Sequence, residues 1–180
     1  MNEQAKMDKH SDIDLFVSIK RGGFIHLMII IESMLEDIIK HHYCKENVRD
    51  EFVFSVLTKE NFGFKFKYEL VCFILQNHYN EFYEKNNLLM KNLDILISDR
   101  NHFAHRKFFS ANPENDKTDG AFYLEHYKTE GNKTIINPIK FNTEIYNGKL
   151  KQISEITYKL IELYKLMGIN DSEIVKYYKE

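Results

Sequence analysis

The sequence predicts an all-α fold, a four- to five-helix up-and-down bundle with a small β-hairpin inserted before the last long helix. Apolar residues recur at alternating four- and three-residue spacings along most of the chain, which is the signature of helices with one buried stripe. Two prolines (Pro113 and Pro138) and seven glycines are all that interrupt 180 residues, so helices can run long. Turn-forming residues gather in one place, between Ser110 and Gly120, ahead of a β-prone stretch.

Residues 1–11 read as a polar tail. From Asp12 the pattern becomes helical, with Phe24, Met28, Ile31, Leu35, Ile38 and His42 on one stripe and Ile30 and Met34 widening it. Gly22 and Gly23 lie upstream, where a kink or a close approach of another backbone is expected. A shorter helix is expected over Val48–Leu57, and Thr58 to Gly63 reads as a connection. The next stripe is Phe64, Tyr68, Val71 and Leu75, flanked by Phe66, Leu70, Phe73 and Ile74, which suggests a helix buried on most sides. Asn80 suits the N-cap of a helix in which Leu89, Leu93, Leu96 and Arg100 fall on one line. An apolar stripe thus runs straight into an arginine.

Residues 110–141 read as a loop and hairpin insertion: Phe122–Tyr127 and Thr134–Ile139 are β-prone around the turn Glu130-Gly131-Asn132. Tyr146, Leu150, Ile153, Thr157, Leu160, Tyr164 and Met167 then mark a last long helix that Gly168 is placed to stop. Asp171 or Ser172 would cap a terminal turn ending at Tyr177-Tyr178.

Hydrophobic residues make up 43% of the chain and charged ones 29%, which suits one globular domain over 1–180. A formal net charge of -2 argues against a generic nucleic-acid coat, whose affinity comes from a strongly basic surface, but it leaves room for a confined positive pocket. Cys44 and Cys72 are far apart and lack CxxC spacing, so reduced, buried thiols are expected. No signal-peptide core opens the sequence, and the longest apolar run, Leu27 to Ile31, is far too short to span a bilayer. The expectation is a cytoplasmic protein without a membrane partner.

The candidate functional centre is Arg100-Asn101-His102-Phe103-Ala104-His105. Arginine offers a planar, permanently charged fork that suits phosphate oxygens, and histidine moves protons near neutral pH. Together they suffice for metal-independent RNA cleavage: histidine assists attack by the 2′-hydroxyl or protonates the leaving oxygen, while arginine stabilises the phosphorane. On a regular helix, however, residues five apart diverge by roughly 140°. Either the helix bends near Asn101, or facing copies from two subunits complete the site.

The run resembles the R-x4–6-H signature of the HEPN superfamily, in which a polar residue follows the arginine. Ile31-Glu32-Ser33-Met34-Leu35 is similar to that family's first long helix, and Leu57-Thr58 through Phe64, Phe66, Lys67 and Leu70 to the middle of several prokaryotic members. The resemblance covers roughly Asp12 to Phe108 and the last long helix. It implies an all-α homodimer whose two motifs face a shared cleft, acting as an endoribonuclease without cofactor in toxin–antitoxin or phage-defence systems, with an antitoxin or nucleotidyltransferase as partner. Carried over, Arg100 and His105 are the catalytic pair and Asn101 the polar position. Glu32 is a candidate for the acidic position and His102 a supporting neighbour that contacts RNA phosphate or the partner subunit, while Arg106 and Lys107 would touch RNA phosphate. The alternative is a non-enzymatic helical dimer that binds RNA, nucleotide or a partner protein through the same cleft.

Plainer readings compete. Arg100, His102, His105 and Arg106 stand where a helix ends and would serve as C-terminal caps. Asp99, His102 and His105 can be drawn as metal ligands, but the Glu-x-x-His motif of helical di-iron proteins is absent, so no metal is assigned. Glu32 reads equally well as a partly exposed carboxylate, and His10, His41 and His42 as surface residues. Tyr79, Phe82 and Tyr83 read as core rather than base-stacking rings, and Lys65, Lys67 and Lys91 as either positive field around the motif or a solvated face.

Overall fold

The computed structural model describes residues 15, 17–59, 61–106 and 141–169 to the side chain, and the backbone alone of 3–14, 16, 108–110, 122–124, 127–130, 133–136 and 139–140. The described chain is mostly helical. Its helices are α1 (Glu3–Tyr43), α2 (Arg49–Phe52), α3 (Phe64–His78), α4 (Asn80–His105) and α5 (Thr143–Met167).

Helix α1 begins at Glu3, so the polar segment expected as a tail before Asp12 is helical backbone. Its residues Glu, Gln, Ala, Lys and Met are strong helix formers, and a polar helix gives no periodic apolar signal to read. The helix also runs through Gly22 and Gly23 without the expected interruption. Neither glycine needs a special backbone angle there. A Cβ on Gly23 would meet the hydroxyl of Tyr146 at 3.3 Å, so the close approach is to a side chain rather than to a backbone.

The expected helix at Val48–Leu57 divides into three unequal turns: a 3₁₀ turn at Glu46–Val48, α2, and a π turn at Val53–Leu57. Its last bond, Thr58 N–H to the Val53 carbonyl at 3.1 Å, has the five-residue reach of a π turn. In α3 the stripe of Phe64, Val71 and Leu75 is buried, but Phe66 is 44% exposed and Phe73 55% exposed. This helix is therefore not buried on most sides. Its breadth of apolar residues reflects two faces, only one of them covered.

Helix α4 bends at Asn86, whose φ of -117° and ψ of 15° leave the helical region. The side chain is buried, and its amide donates back to the Phe82 carbonyl at 2.8 Å, the kind of backbone competition that bends helices. Beyond Asn86 the helix continues without a further irregularity to His105.

Helix α5 carries its own start and stop. The Asn142 carboxamide oxygen accepts the Ile145 N–H at 2.8 Å, an N-cap. At the other end Gly168 takes φ 71°, the Gly168 N–H reaches the Lys165 carbonyl at 3.2 Å, and the Ile169 N–H reaches that of Tyr164 at 2.9 Å. This is the Schellman arrangement, and its left-handed residue is best filled by glycine.

The chain divides into two units, one made of Met1–His26 and Ser98–Lys151, the other of Leu27–Ile97 and Gln152–Glu180. In the second unit the buried residues include Met28, Ile31, Leu35, Ile74, Leu93 and Leu160. There the fully buried Tyr164 places its hydroxyl 2.9 Å from the Met34 carbonyl and 3.1 Å from Asp37, which also accepts the Lys40 ammonium at 2.6 Å. The buried carboxylate is thus matched by the Lys40 ammonium and shares the single Tyr164 proton with the Met34 carbonyl, as its desolvation requires.

Between α4 and α5 the backbone forms short strands. β2 (Phe122–Leu124) pairs antiparallel with β1 (Phe108–Ser110) and with β5 (Ile139–Phe141), and β3 (Tyr127–Glu130) with β4 (Lys133–Ile136). Only Phe141 among these residues has a described side chain. The expected hairpin insertion falls on this stretch, and Lys107, the loop core and the cap at Asp171 or Ser172 lie outside the described residues.

Candidate functional site

The first unit shows how the end of α4 is held. Phe103 is fully buried, stacked on Phe24 of α1 at 4.7 Å between ring centroids and meeting Phe141 edge-on at 4.6 Å. Both geometries suit the quadrupoles of aromatic rings, so Phe103 fixes the rotation of the helix end. Asp99 accepts Lys149 of α5 at 2.5 Å, and that ammonium also lies 5.6 Å from the Phe141 ring centre. Arg21 of α1 donates from Nη2 to the Ala104 carbonyl at 2.6 Å. That carbonyl is among the last four of α4, which a helix leaves without an internal partner.

The motif residues stand between these anchors. Arg100 is half-buried, and its Nη1 reaches the Asn101 side-chain oxygen at 3.2 Å. Its Nε is buried with no hydrogen-bond partner, the only such side-chain atom among the described residues. An orphaned donor of this kind costs about 1–3 kcal/mol. Asn101 and His105 are exposed, and His102 and Arg106 are half-buried. The Arg106 N–H reaches the His102 carbonyl at 3.0 Å, so the helical turn is kept through His105.

The bend considered near Asn101 is therefore not present; the distortion sits at Asn86. On the regular helix Arg100 and His105 point roughly 140° apart and do not converge within one chain. Asp99, drawn as a metal ligand with His102 and His105, is engaged by Lys149. Among the described residues no group of three or more His, Cys, Asp and Glu is placed to hold a metal ion.

Glu32 belongs to the second unit. It accepts the Lys67 ammonium at 2.7 Å, and Glu36 accepts the same ammonium at 2.5 Å. Lys67 is therefore no surface charge: its side chain is 5% exposed and that of Glu32 19%. Burial works against the Lys67 charge, but its hydrogen bonds to Glu32 and Glu36 outweigh it and hold the pKa above the ordinary lysine value. Lys65 also belongs to the second unit, where it pairs with Asp94 at 2.5 Å, and Lys91 is exposed there.

The remaining expectations fall in that unit too. Cys44 and Cys72 are free thiols, half-buried rather than buried, and burial raises the Cys72 pKa. His41 and His42 are half-buried, and the His42 ring lies 4.5 Å from that of His78. Tyr79, Phe82 and Tyr83 are half-buried, neither core nor an open stacking platform.

Sequence reasoning did not single out Arg21 or Lys149. Arg21 lies three residues before Phe24, hence on the same side of α1, and that spacing was the one available signal. No helix among the described residues is long and apolar enough to cross a membrane. No family model, curated protein or solved structure matches the chain.

Proposed function

We propose that the chain is a metal-independent endoribonuclease of HEPN type, acting in toxin–antitoxin or phage-defence systems through a site completed by two copies of the chain. One observation carries the reading. In the last turns of α4 the structural contacts fall on Asp99, Phe103 and the Ala104 carbonyl, whereas Arg100 keeps a buried donor without a partner and His105 and Asn101 stay open. A cap would turn Arg100 onto the last carbonyls of α4; its bond goes to the Asn101 side chain instead, and a different arginine, Arg21, takes the Ala104 carbonyl.

The divergence of Arg100 and His105 on one helix supports a composite site, in which His105 of one copy works beside Arg100 of the other. Two arginines facing a common cleft repel, and a shared phosphate relieves that repulsion. The RNA supplies the nucleophile: its 2′-oxygen bonds to phosphorus as the 2′-proton leaves to a base, and the 5′-oxygen departs with a proton. The products are a 2′,3′-cyclic phosphate and a 5′-hydroxyl end. His105 moves the protons, Arg100 stabilises the phosphorane charge, and Asn101 orients the guanidinium. His102, Arg106 and Lys107 extend the contact to neighbouring phosphates. The scaffold this reading supposes is the up-and-down bundle with its hairpin insertion at 110–141.

The test uses one oligoribonucleotide, its 2′-deoxy analogue and a chelator, with light scattering on the same sample. Expected are a dimer, cleavage that survives EDTA, and no cleavage of the deoxy analogue. Equal cleavage of both oligonucleotides would end the mechanism, and a monomer at all concentrations would end the composite site. RNA binding without cleavage would move the assignment to the non-enzymatic dimer, which the same open polar groups favour.

A further inference from the structure

We infer that Arg21 is a positioning residue for the motif turn, holding the end of α4 so that the His105 side chain leaves the helix from one fixed place. This rests on the function proposed above only for its consequence in catalysis; the positioning itself is a property of the first unit. The observations are geometric. Arg21 and Phe24, one helical turn apart on α1, take hold of adjacent residues of α4, the first through the Ala104 carbonyl at 2.6 Å and the second through the Phe103 ring at 4.7 Å. The two contacts differ in kind. A ring stack fixes where the helix end lies but leaves its last turn free to unwind, because no backbone group is tied by it. The charge-assisted bond to Ala104 ties the backbone itself at the residue next to His105.

The last turn of a helix frays because its carbonyls lack partners. Here one of those carbonyls is satisfied by a long-range partner, 83 residues away in sequence, rather than by the chain that follows. His105 is exposed, so the place and direction in which its side chain leaves the helix are set by the backbone that carries it. A displacement of about 1 Å in a catalytic group commonly costs on the order of 10²-fold in rate.

The experiment compares Arg21→Gln, Arg21→Lys and, as a neighbouring control, Ser18→Ala in the full-length chain. Two readouts are taken: amide hydrogen exchange with the His105 ring signals by NMR, and kcat and KM for the oligoribonucleotide. In Arg21→Gln the Arg106 amide is expected to exchange about 10-fold faster or more while core amides stay unchanged, since local opening is separable from global stability. The His105 ring signals move, and kcat falls by about 10- to 10²-fold with KM within twofold. Arg21→Lys, which keeps one charged donor, restores most of the protection and rate, and Ser18→Ala matches wild type. Unchanged exchange and ring signals in Arg21→Gln overturn the inference, whatever the activity does. If wild type cleaves no RNA, the proposed function fails while the NMR comparison still decides the role of Arg21. If exchange rises through the whole unit and Arg21→Lys does not rescue, Arg21 is a general fold contact and the positioning role is rejected.

Discussion

Two charged clusters in this chain have opposite fates. In the second unit Lys67 is enclosed by Glu32 and Glu36, and donor and acceptors are spent on one another. In the first unit the charges at the end of α4 divide into those the fold uses, Asp99 with Lys149 and Arg21 with Ala104, and those it does not, Arg100 and His105. The lesson is that a charged residue is read by what is left over on it. Lys67 resembles a functional lysine in sequence but spends two of its three donors on half-buried carboxylates; Arg100 resembles a helix cap and does not act as one.

The sharpest way to break this comparison is to remove the leftover charges. His105→Ala should lower RNA cleavage by ~10²–10⁴-fold, the scale of general acid–base catalysis. Arg100→Ala should lower it by ~10²–10³-fold, as loss of a charge-stabilising donor commonly does. His105→Ala should melt within about 0.5 kcal/mol of wild type by denaturant titration, because that side chain is exposed, and Arg100→Ala should melt no lower than that, because it removes the orphaned buried donor. A melt lowered by several times that margin would move Arg100 into the structural class.

Lys67→Met should behave in reverse. It leaves two carboxylates facing each other, and urea unfolding should show a loss of about 3 kcal/mol, the low end for breaking a buried pair, since Glu32 and Glu36 retain some solvent. Adding Glu32→Gln and Glu36→Gln to the same variant should recover most of the loss. If Lys67→Met keeps its stability but loses RNA cleavage, the cluster is functional and Glu32 returns to the site.

The glycines beside Arg21 give a smaller test. Gly22 has open space where a Cβ would stand, so Gly22→Ala should stabilise by about 0.5–1 kcal/mol through helix propensity alone. Gly23→Ala should fall short of that gain, because its Cβ meets the Tyr146 hydroxyl at 3.3 Å. Equal gains would show that Tyr146 moves aside freely.

The smallest effect expected is of pH. Burial and the neighbouring His78 lower the pKa of His42 below its ordinary value of 6.5. The folded state then holds fewer protons than the unfolded state in that interval, so stability is complete above pH 6.5 and declines as pH falls through 6.5 toward the lowered value. His42→Gln should flatten this slope in melts taken from pH 7.5 to 5.

These contrasts mark how far the sequence could be read. The body and the stop of helix α5 were legible because its stripe and Gly168 are local features, whereas its N-cap, Asn142, was not singled out. The stripes of α1 and α4 were equally plain, since burial of Phe24, Met28, Leu93 and Leu96 follows from spacing. What periodicity does not reveal is the partner. Phe66 and Phe73 carry the same apolar label as Phe64 yet are exposed, and Lys67 is buried because its carboxylates come from α1, more than thirty residues earlier. At the candidate site, Arg100, Asn101 and His105 could be named, but Arg21 and Lys149 could not, because they reach α4 from distant segments.

The unpartnered Nε of Arg100 also has a consequence for anyone engineering this chain. A procedure that ranks substitutions by folding stability alone will choose position 100 early, since a methionine there fills similar volume without an orphaned donor. Consensus-free stabilisation of the scaffold would then proceed smoothly and erase the site at its first round, so position 100 should be held fixed in any thermostabilised version meant to retain ligand chemistry.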